Sequence, residues 1–243
     1  YGSPTSQTVE RNVCRQWMGL MLLTGKDYPF EDLPFSVAPD RKLTLEDLIG
    51  ALRSHYESTA YDQTTGGDPH RTAVRGICSN NTQESFVVQL RSHLPSIIGN
   101  IYWRGQGRPC QGVFAPWYSG TLEIPRPYTI GEPGLFDKLP LGERYYDPKS
   151  AYWVFNRMDA LVDEEYEVRK PFVRDTWDDF EATELRLQDE IEKTAYEICE
   201  GKDYPGSIGE GKRLASWFLT RYTESLALNV YYKALGFIEQ FER

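Results

Sequence analysis

The order of the predicted secondary-structure elements limits the possible folds of this 243-residue chain more than any single motif does. Two helical segments come first, several short β-type segments with turn signals follow, and long helical segments fill the chain from about residue 147. A doubly wound α/β protein would instead alternate strands with helices. We therefore predict an α+β fold, in which antiparallel strands are followed by long helices.

The two N-terminal helical segments have recognisable ends. Residues 8–25, TVERNVCRQWMGLMLLTG, predict an amphipathic first helix that is closed by Gly25. Residues 43–57, LTLEDLIGALRSHYE, predict a second helix, in which Thr44 is the N-cap and Asp47 completes a pattern similar to a capping box.

The C-terminal part of the chain, from about residue 147 to residue 243, is predicted to be helical. Asp147 followed by Pro148 indicates a helix start, and SAYWVFNRMDALVDEEYEVRK continues that helix. A second long helix is predicted from Pro171 to its closing Gly201. A third begins at Glu210, and the chain shows no internal repeat or low-complexity tract.

The middle of the chain predicts consecutive antiparallel strands. The segments are TAVRGICS (72–79), ESFVVQLRS (84–92), SIIGNIYWRGQ (96–106) and CQGVFAPWYSG (110–120). The linker NNTQ between the first two is typical of a hairpin. Gly105, Gly107 and Pro109 predict the turn between the last two. The long Pro-, Gly- and aromatic-rich segment after them is predicted to be a functional loop or one that covers a sheet edge.

Composition excludes some classes of function. The formal net charge is −9 without a cluster of Lys and Arg, so the chain is poorly suited to the phosphates of a nucleic acid. No apolar run approaches the roughly 20 residues that span a bilayer. The four cysteines, Cys14, Cys78, Cys110 and Cys199, have no CxxC-type spacing. They predict free or buried thiols, with one disulfide left open, and not a zinc site.

Residues 53–72, RSHYESTAYDQTTGGDPHRT, hold two of the three histidines and several carboxylates. A Ser-His-Asp triad would combine His55 and Asp62 with a serine, but no GxSxG motif supports it. A metal site would combine His55, Glu57, Asp62 and His70, but residues 55 and 57 point to different sides of a helix unless the helix has ended. Turn and capping bonds within a polar loop are the simpler explanation.

Two further groups of residues have both a structural and a functional interpretation. Arg11 and Arg15 lie on one helix face, as surface cations or as a guanidinium pair for a carboxylate ligand. Cys14, between them, is either activated by their charge or, as we favour, buried and inert. An acidic group is predicted to be the solvated face of a helix. Its members are Asp178, Asp179, Glu181 and Glu184.

Several motifs occur in the order found in one known family. LRSHYESTAYDQTTG resembles the R-x-H-Y-E-G-T-x-[YF]-D-x-T stretch of the cysteine dipeptidases of peptidase family C69. RGICSNNTQESFVVQLRSHLPSIIGNIYWRGQGRPC resembles the family's strand pair with Q-L-R-x-x-L-P and G-x-x-W. FAPWYSG, the following IP and SAYWVFN continue that order. The resemblance covers about residues 11–177.

The resemblance implies an αββα sandwich of the N-terminal-nucleophile hydrolases. In that family a cysteine becomes the first residue of the mature chain, and its own α-amino group, with a pKa of about 7.7–8.0, serves as the base. The substrates would be dipeptides, and no metal or other cofactor is expected. A homo-oligomer is expected, and a cytoplasmic location is favoured.

The sequence departs from the family pattern at its start, because Tyr1 stands where the nucleophile would be expected. Family members are about twice as long, so we expect residues 1–243 to be the C-terminal portion of a single dipeptidase domain whose upstream half carries the nucleophile. No catalytic residue is assigned within this chain. The resemblance implies substrate contacts from Arg11 or Arg15 and from the region of His55, Glu57 and Asp62.

Two rival functions remain open from the sequence. One is a non-catalytic interaction or ligand-binding domain that keeps the same fold and lacks the nucleophile. The other is a carbohydrate-binding module, suggested by the aromatic residues between positions 114 and 153. Half of a layered sandwich would leave an apolar sheet face open to water, so we predict that the chain aggregates when it is expressed alone.

Overall fold

The structure is a computed structural model, and it describes residues 9–70, 74–130, 146–201 and 209–243. The helices are α1 Val9–Thr24, α2 Leu45–Leu52, the single turn α3 Ser96–Gly99, α4 Ala151–Glu164, α5 Tyr166–Glu200 and α6 Glu210–Phe241. The strands are β1 Glu84–Leu90, β2 Asn100–Gln106 and β3 Phe114–Tyr118. This arrangement confirms the predicted α+β class. None of the described helices is long and apolar enough to cross a membrane.

The strands form a three-stranded antiparallel sheet in the order β1-β2-β3. Val87 of β1 lies opposite Trp103 of β2, and Ile101 of β2 lies opposite Tyr118 of β3. Because side chains alternate between the two faces of a strand, these residues all point to the same face of the sheet. That face is the one that the long helices cover.

The first of the four predicted strands is not a strand, so the predicted NNTQ hairpin is wrong. Residues 72 and 73 lie outside the described part of the chain, and residues 74–79 have no strand geometry. The Cys78 backbone N–H donates to the Ser54 carbonyl at 3.1 Å, and the Gln63 side chain donates to the Val74 carbonyl at 2.6 Å. These bonds tie the segment to the loop after α2 instead of to β1.

Local end signals correctly placed the end of α1 and the start of α2. Gly25, with a φ of 70°, follows α1, and the Thr44–Asp47 capping box precedes α2. The second helix was predicted to reach Glu57, but α2 ends at Leu52. Tyr56 and Ser58 have φ values of 64° and 63°, in the left-handed region that a right-handed helix cannot include.

The boundaries of the C-terminal helices differ in part from the prediction. Helix α4 begins at Ala151 and not at Asp147, whose carboxylate instead accepts the Lys149 N–H at 2.9 Å. The break before α5 lies at Glu165, and Pro171 is inside α5. Arg169 stabilises the break, since its guanidinium donates to the Leu161 carbonyl at 2.6 Å and to Glu165 at 2.5 Å. The ends at Gly201 and Glu210 agree with the prediction.

Helices α5 and α6 cover one face of the sheet. Val87, Ile101 and Trp103 from the strands share a buried cluster with Ala195 of α5 and Leu219 of α6. A second buried cluster, centred on residues such as Phe155, Trp177 and Val230, holds α4, α5 and α6 together. The sheet is therefore backed by a helical layer with its own core.

The opposite face of the sheet is apolar and exposed near β1. Phe86, Val88 and Leu90 alternate along that strand with exposures of 55%, 43% and 75%, and Ile124 is 57% exposed. Val88 and Ile124 line one depression of about 320 Å³. We call Phe86, Val88, Leu90 and Ile124 the open face. Among the described strands none pairs with the outer edge of β1.

Candidate functional site

The loop after α2 is anchored on α1. Tyr56 is fully buried with Cys14, Trp17 and Met18, and its hydroxyl donates to the Arg75 carbonyl. The buried position of Cys14 agrees with the prediction of an inert thiol. His55 and Glu57, on either side of Tyr56, contact each other within the loop.

Two predicted site residues have bonds within that loop. Asp62 accepts the Thr64 hydroxyl at 2.6 Å, the Thr64 N–H at 2.8 Å and the Ser58 N–H at 2.9 Å, and these bonds lower the pKa of Asp62. Glu57 accepts the His55 N–H at 2.9 Å. Burial raises the pKa of Glu57, but hydrogen bonds from the His55 ring and backbone outweigh it and lower that pKa to about 2.

Four buried side chains converge beside this loop, and we call His55, His70, Cys78 and Cys110 the His–Cys cluster. The two Nε2 atoms of the histidines are 3.3 Å apart. His70 Nε2 lies 3.3 Å from Cys110 Sγ and 3.6 Å from Cys78 Sγ. One donor atom from each of the four residues lies within 4.8 Å of all the others, and all four residues are buried.

Carboxylates surround the outer side of the His–Cys cluster. His70 Nδ1 is 2.7 Å from Asp68 Oδ1 and 3.6 Å from Asp163 Oδ1, while His55 Nδ1 is 3.4 Å from Glu57 Oε1. Burial lowers the pKa of His70, but hydrogen bonds with Asp163 and Cys110 outweigh burial and raise that pKa to about 10. Each histidine thus turns one ring nitrogen toward a carboxylate and the other toward the cluster.

A buried ion network fixes the β2–β3 connection that carries Cys110. Glu181 of α5 accepts the Arg53 guanidinium at 2.6 Å and the Phe114 N–H at 2.8 Å. Arg53 also donates to the Pro109 carbonyl at 2.8 Å, and Arg174 donates to the Gly112 carbonyl at 2.7 Å. Arg53 therefore holds the connection before Cys110, and helix α5 holds it after Cys110.

The prediction of a solvated acidic face on α5 is wrong for two of its four residues. Asp178 and Asp179 are exposed, but Glu181 and Glu184 are only 7% and 5% exposed. The sequence pattern conceals this because Glu181 pairs with Arg53, and the hydroxyl of Tyr222 donates to Glu184. The partners of both glutamates come from distant parts of the chain.

Asp68, His70 and Cys110 have the connectivity of a catalytic Cys-His-Asp group, but their setting does not suit attack on a substrate. The His70 side chain is fully buried and Cys110 is 3% exposed. Burial and the neighbouring Cys78 raise the pKa of the Cys110 thiol to about 12. A nucleophilic cysteine needs an accessible thiolate, so the cluster is not a nucleophilic centre.

The proposed triad of His55, Asp62 and a serine is not formed. Glu57, and not Asp62, lies beside the Nδ1 atom of His55, and His70 lies beside its Nε2 atom. The argument that residues 55 and 57 point apart also fails, because the helix ends before them.

The structure brings together only some of the predicted substrate-contact residues. His55 and Glu57 are in contact, and Asp62 closes the same loop. Arg15 is on the exposed side of α1, while the side chain of Arg11 lies outside the described part of the structure. The substrate contacts stay predictions. The burial of His55 favours a role in positioning the loop over direct contact with a substrate.

No pattern in the sequence predicted that Cys78 and Cys110 lie beside the two histidines. Along the chain His70 is separated from Cys78 by 8 residues, from His55 by 15 and from Cys110 by 40, so no short motif exists. One signal was available. Cys110 follows Pro109 directly and Cys78 lies two residues after Gly76, a local composition typical of loops, although both segments were predicted to be strands.

A cleft of about 730 Å³ lies beside α4 and reaches Arg108, Arg157 and Asp159. Asp159 accepts the Arg108 N–H at 2.9 Å through one carboxylate oxygen, and its other oxygen has no hydrogen-bond partner in the described part of the chain. Burial outweighs the charge of Arg108 and raises the pKa of Asp159 to about 7. This carboxyl group is the strongest candidate for a titrating group near an accessible cleft.

The aromatic residues that suggested a carbohydrate surface are largely used inside the fold. Phe114 and Tyr118 are buried in the sheet core. Trp117 packs edge-on against Tyr128 at 5.2 Å, and Arg104 lies over both rings. These contacts give the rings structural roles and weaken the case for a carbohydrate-binding module.

Comparison with known proteins agrees with the order of motifs. The model of peptidase family C69 matches residues 1–179. A probable dipeptidase of Latilactobacillus sakei is 29% identical over 170 residues, which are 68% of this chain and 34% of that protein. Probable dipeptidase B of Lactococcus lactis subsp. lactis is 27% identical over 210 residues, 83% of this chain and 41% of that protein.

A third relative, a probable dipeptidase of Salmonella dublin, is 34% identical over 114 residues, 47% of this chain and 24% of that protein. The chain thus spans less than half the length of each of these relatives. The match to the family model covers more than half of the chain and includes α1, the loop after α2 and the whole sheet. The chain belongs to peptidase family C69.

Proposed function

We propose that this chain is the C-terminal portion of a cysteine dipeptidase whose nucleophile lies upstream of residue 1. Membership of a peptidase family and the dipeptidase names of its relatives support a hydrolase that acts on dipeptides. The buried state of Cys14, Cys78 and Cys110 is in keeping with a nucleophile outside the chain.

The open face is the observation that carries this proposal. Helices α5 and α6 cover one side of the sheet, while Phe86, Val88 and Leu90 leave apolar side chains exposed on the other. A sheet of this kind is stable when a second layer buries that side. A second sheet, contributed by the upstream part of the same protein, would complete the αββα sandwich.

The proposed reaction needs only an N-terminal cysteine and water. The neutral α-amino group accepts the thiol proton, and the sulfur attacks the carbonyl carbon of the dipeptide. The carbon–nitrogen bond breaks, the leaving amine takes the proton, and water then hydrolyses the acyl-enzyme. Arg15, and Arg11 one helical turn before it, would bind the dipeptide's terminal carboxylate, for which a planar guanidinium gives two parallel hydrogen bonds.

Hydrolysis of a panel of unmodified dipeptides by the complete protein tests this function. We expect release of free amino acids that is abolished when the N-terminal cysteine of the mature protein is changed to alanine. Arg15→Gln should raise KM at least about tenfold, since one charge-assisted bond to a carboxylate contributes about 1.5–3 kcal/mol. Arg213→Gln, at an exposed position of α6, is the matched control and should leave KM unchanged. A folded complete protein that hydrolyses no dipeptide would favour the binding-domain alternative.

A further inference from the structure

We propose that the His–Cys cluster is a structural zinc site in which His55, His70, Cys78 and Cys110 bind one Zn²⁺ ion. Two thiolates and two imidazoles form a donor set typical of closed, tetrahedral zinc sites. The proposal does not depend on the dipeptidase activity, because it concerns how this part of the chain is held together.

The three distances from the His70 Nε2 atom fit a tetrahedron around zinc, and the other donor atoms lie within 4.8 Å of one another. With bonds of about 2.3 Å to sulfur and 2.0–2.1 Å to nitrogen, a tetrahedral ion holds two nitrogens about 3.3–3.4 Å apart and a nitrogen and a sulfur about 3.5–3.6 Å apart. The Nε2 atoms of His55 and His70 are 3.3 Å apart. The Nε2 atom of His70 lies 3.3 Å from the Cys110 sulfur and 3.6 Å from the Cys78 sulfur.

The carboxylates around the cluster point to the same conclusion. His70 Nδ1 lies 2.7 Å from Asp68 Oδ1, and His55 Nδ1 lies 3.4 Å from Glu57 Oε1. A proton on each Nδ1 atom satisfies these carboxylates and leaves a lone pair on each Nε2 atom. Metal-binding histidines are oriented in this way in proteins.

Those two lone pairs can both bind one cation once His70 has lost its Nε2 proton. The Nε2 atoms of His55 and His70 face each other at 3.3 Å in a buried space. Without a metal ion, the raised pKa of His70 leaves a proton on its Nε2 atom, which the His55 Nε2 atom accepts. A metal ion between them accepts both lone pairs and both sulfur atoms.

Charge balance also favours a divalent ion. Binding of Zn²⁺ displaces the Nε2 proton of His70 and the two thiol protons, and the ion then neutralises the two thiolates of Cys78 and Cys110. The metal and its four ligands together carry no net charge, which suits a buried position. All four tetrahedral positions are filled by the protein, so no position is left for a substrate or an activated water molecule.

A second possible donor set, Asp68, His70 and Asp163, is less suitable. It would use the Nδ1 atom of His70, and Asp163 already binds the Arg108 guanidinium and the Gln111 amide. These three residues are better explained as the shell that orients His70. We therefore assign the ion to the side of the ring that faces the cysteines.

The site would join separate parts of the fold. His55 follows α2, His70 and Cys78 lie in the long loop before β1, and Cys110 lies in the β2–β3 connection. A single ion would fix this loop to the β2–β3 connection. Loss of the ion should loosen the loop and the β2–β3 connection together.

Metal analysis of the complete protein, purified without a histidine tag, tests the proposal. We expect about one zinc ion per chain by inductively coupled plasma mass spectrometry. Replacement by cobalt(II) should give thiolate-to-cobalt charge-transfer bands and the intense d–d bands of a tetrahedral complex. X-ray absorption should show two sulfur and two nitrogen neighbours, at about 2.3 Å and 2.0–2.1 Å. These measurements use the wild-type protein and need no variant to fold.

Variants identify the ligands. Cys78→Ser and Cys110→Ser should each lower zinc occupancy about tenfold or more at a fixed chelator concentration, whereas Cys199→Ser, in the last turn of α5, should keep it. A folded wild-type protein without stoichiometric zinc and without cobalt–thiolate bands would overturn the proposal. So would full occupancy in both cluster variants, or a mass spectrum that shows Cys78 and Cys110 joined by a disulfide.

Discussion

Arg53 donates a 2.6 Å hydrogen bond to Glu181 across 128 residues of sequence, and this ion pair connects the end of α2 to the middle of α5. Glu181 is 7% exposed and also accepts the Phe114 N–H at 2.8 Å. Arg174 extends the network, since its guanidinium lies 3.5 Å from the same carboxylate. Three segments of the fold, the end of α2, β3 and α5, therefore depend on one carboxylate.

Glu181→Gln should lower the free energy of unfolding by about 3 kcal/mol, because it leaves two guanidinium groups without their buried counter-charge. Urea unfolding of the complete protein, followed by circular dichroism, measures the change. Glu224→Gln is the matched control, since it removes an ion pair with Arg221 on the exposed side of α6. Its effect should be small, and an equal effect of both changes would contradict the assigned role of Glu181.

Ser58→Gly should stabilise the protein by about 1 kcal/mol. Ser58 has a φ of 63°, which costs a residue with a Cβ atom roughly 1–2 kcal/mol and glycine almost nothing. The family motif that this loop resembles has glycine at that position. The midpoint of thermal unfolding measures the change. Ala60→Gly, at a neighbouring exposed position without a positive φ, should destabilise instead. A loss of stability from Ser58→Gly would show that the left-handed conformation is wrong.

Asp159→Asn should remove part of the pH dependence of stability. The pKa of Asp159 is raised from 3.8 to about 7, so the folded state favours the protonated carboxyl group. The stability from this group is fully present below about pH 4 and is lost as the pH rises through about 7. Urea unfolding at several pH values should show the variant gaining on the wild type as the pH increases.

Asp189→Asn, at an exposed position of α5, should follow the wild-type pH profile and so serves as the control. Parallel profiles for Asp159→Asn and the wild type would contradict the raised pKa of Asp159. Since Asp159 borders the cleft of about 730 Å³, the same series shows whether the cleft carries a negative charge near neutral pH.

Leu90→Lys should have opposite effects in the complete protein and in residues 1–243 alone. If the upstream part of the protein covers the open face, a lysine there becomes buried and should destabilise the complete protein by about 2 kcal/mol or more. In residues 1–243 alone, the same change should reduce aggregation, because it interrupts an apolar patch.

Val168→Lys is the matched control for the open face, since Val168 is 70% exposed on α5 and Leu90 is 75% exposed on β1. Unfolding midpoints and light scattering of the complete protein and of residues 1–243 alone measure the two effects. Equal behaviour of the two lysine variants in the complete protein would show that Leu90 stays in water there.

The parts of the fold that depend on neighbouring residues were predictable. Thr44 and Asp47 are three residues apart, so the capping box is visible in the sequence, and Gly25 and Gly201 close their helices through local backbone geometry. The alternation along β1 also predicts a strand with one buried face. In each of these cases the physical cause acts within one or two turns of the chain.

The parts that depend on distant contacts were not predictable. The buried state of Glu181 follows from Arg53, and the position of Cys110 beside His70 follows from a 40-residue separation that no spacing rule describes. The left-handed conformation of Tyr56 was equally hidden, because burial of its ring against α1 overrides the usual preference for glycine. Tertiary packing therefore decided most of the candidate site.

Identification of the first residue of the mature, active protein tests the central claim most directly. We would purify the complete protein by its dipeptidase activity, determine the intact mass of every polypeptide and sequence each N-terminus. We expect a polypeptide that begins with cysteine, located upstream of residue 1 of this chain. An active preparation in which no polypeptide begins with cysteine would contradict it.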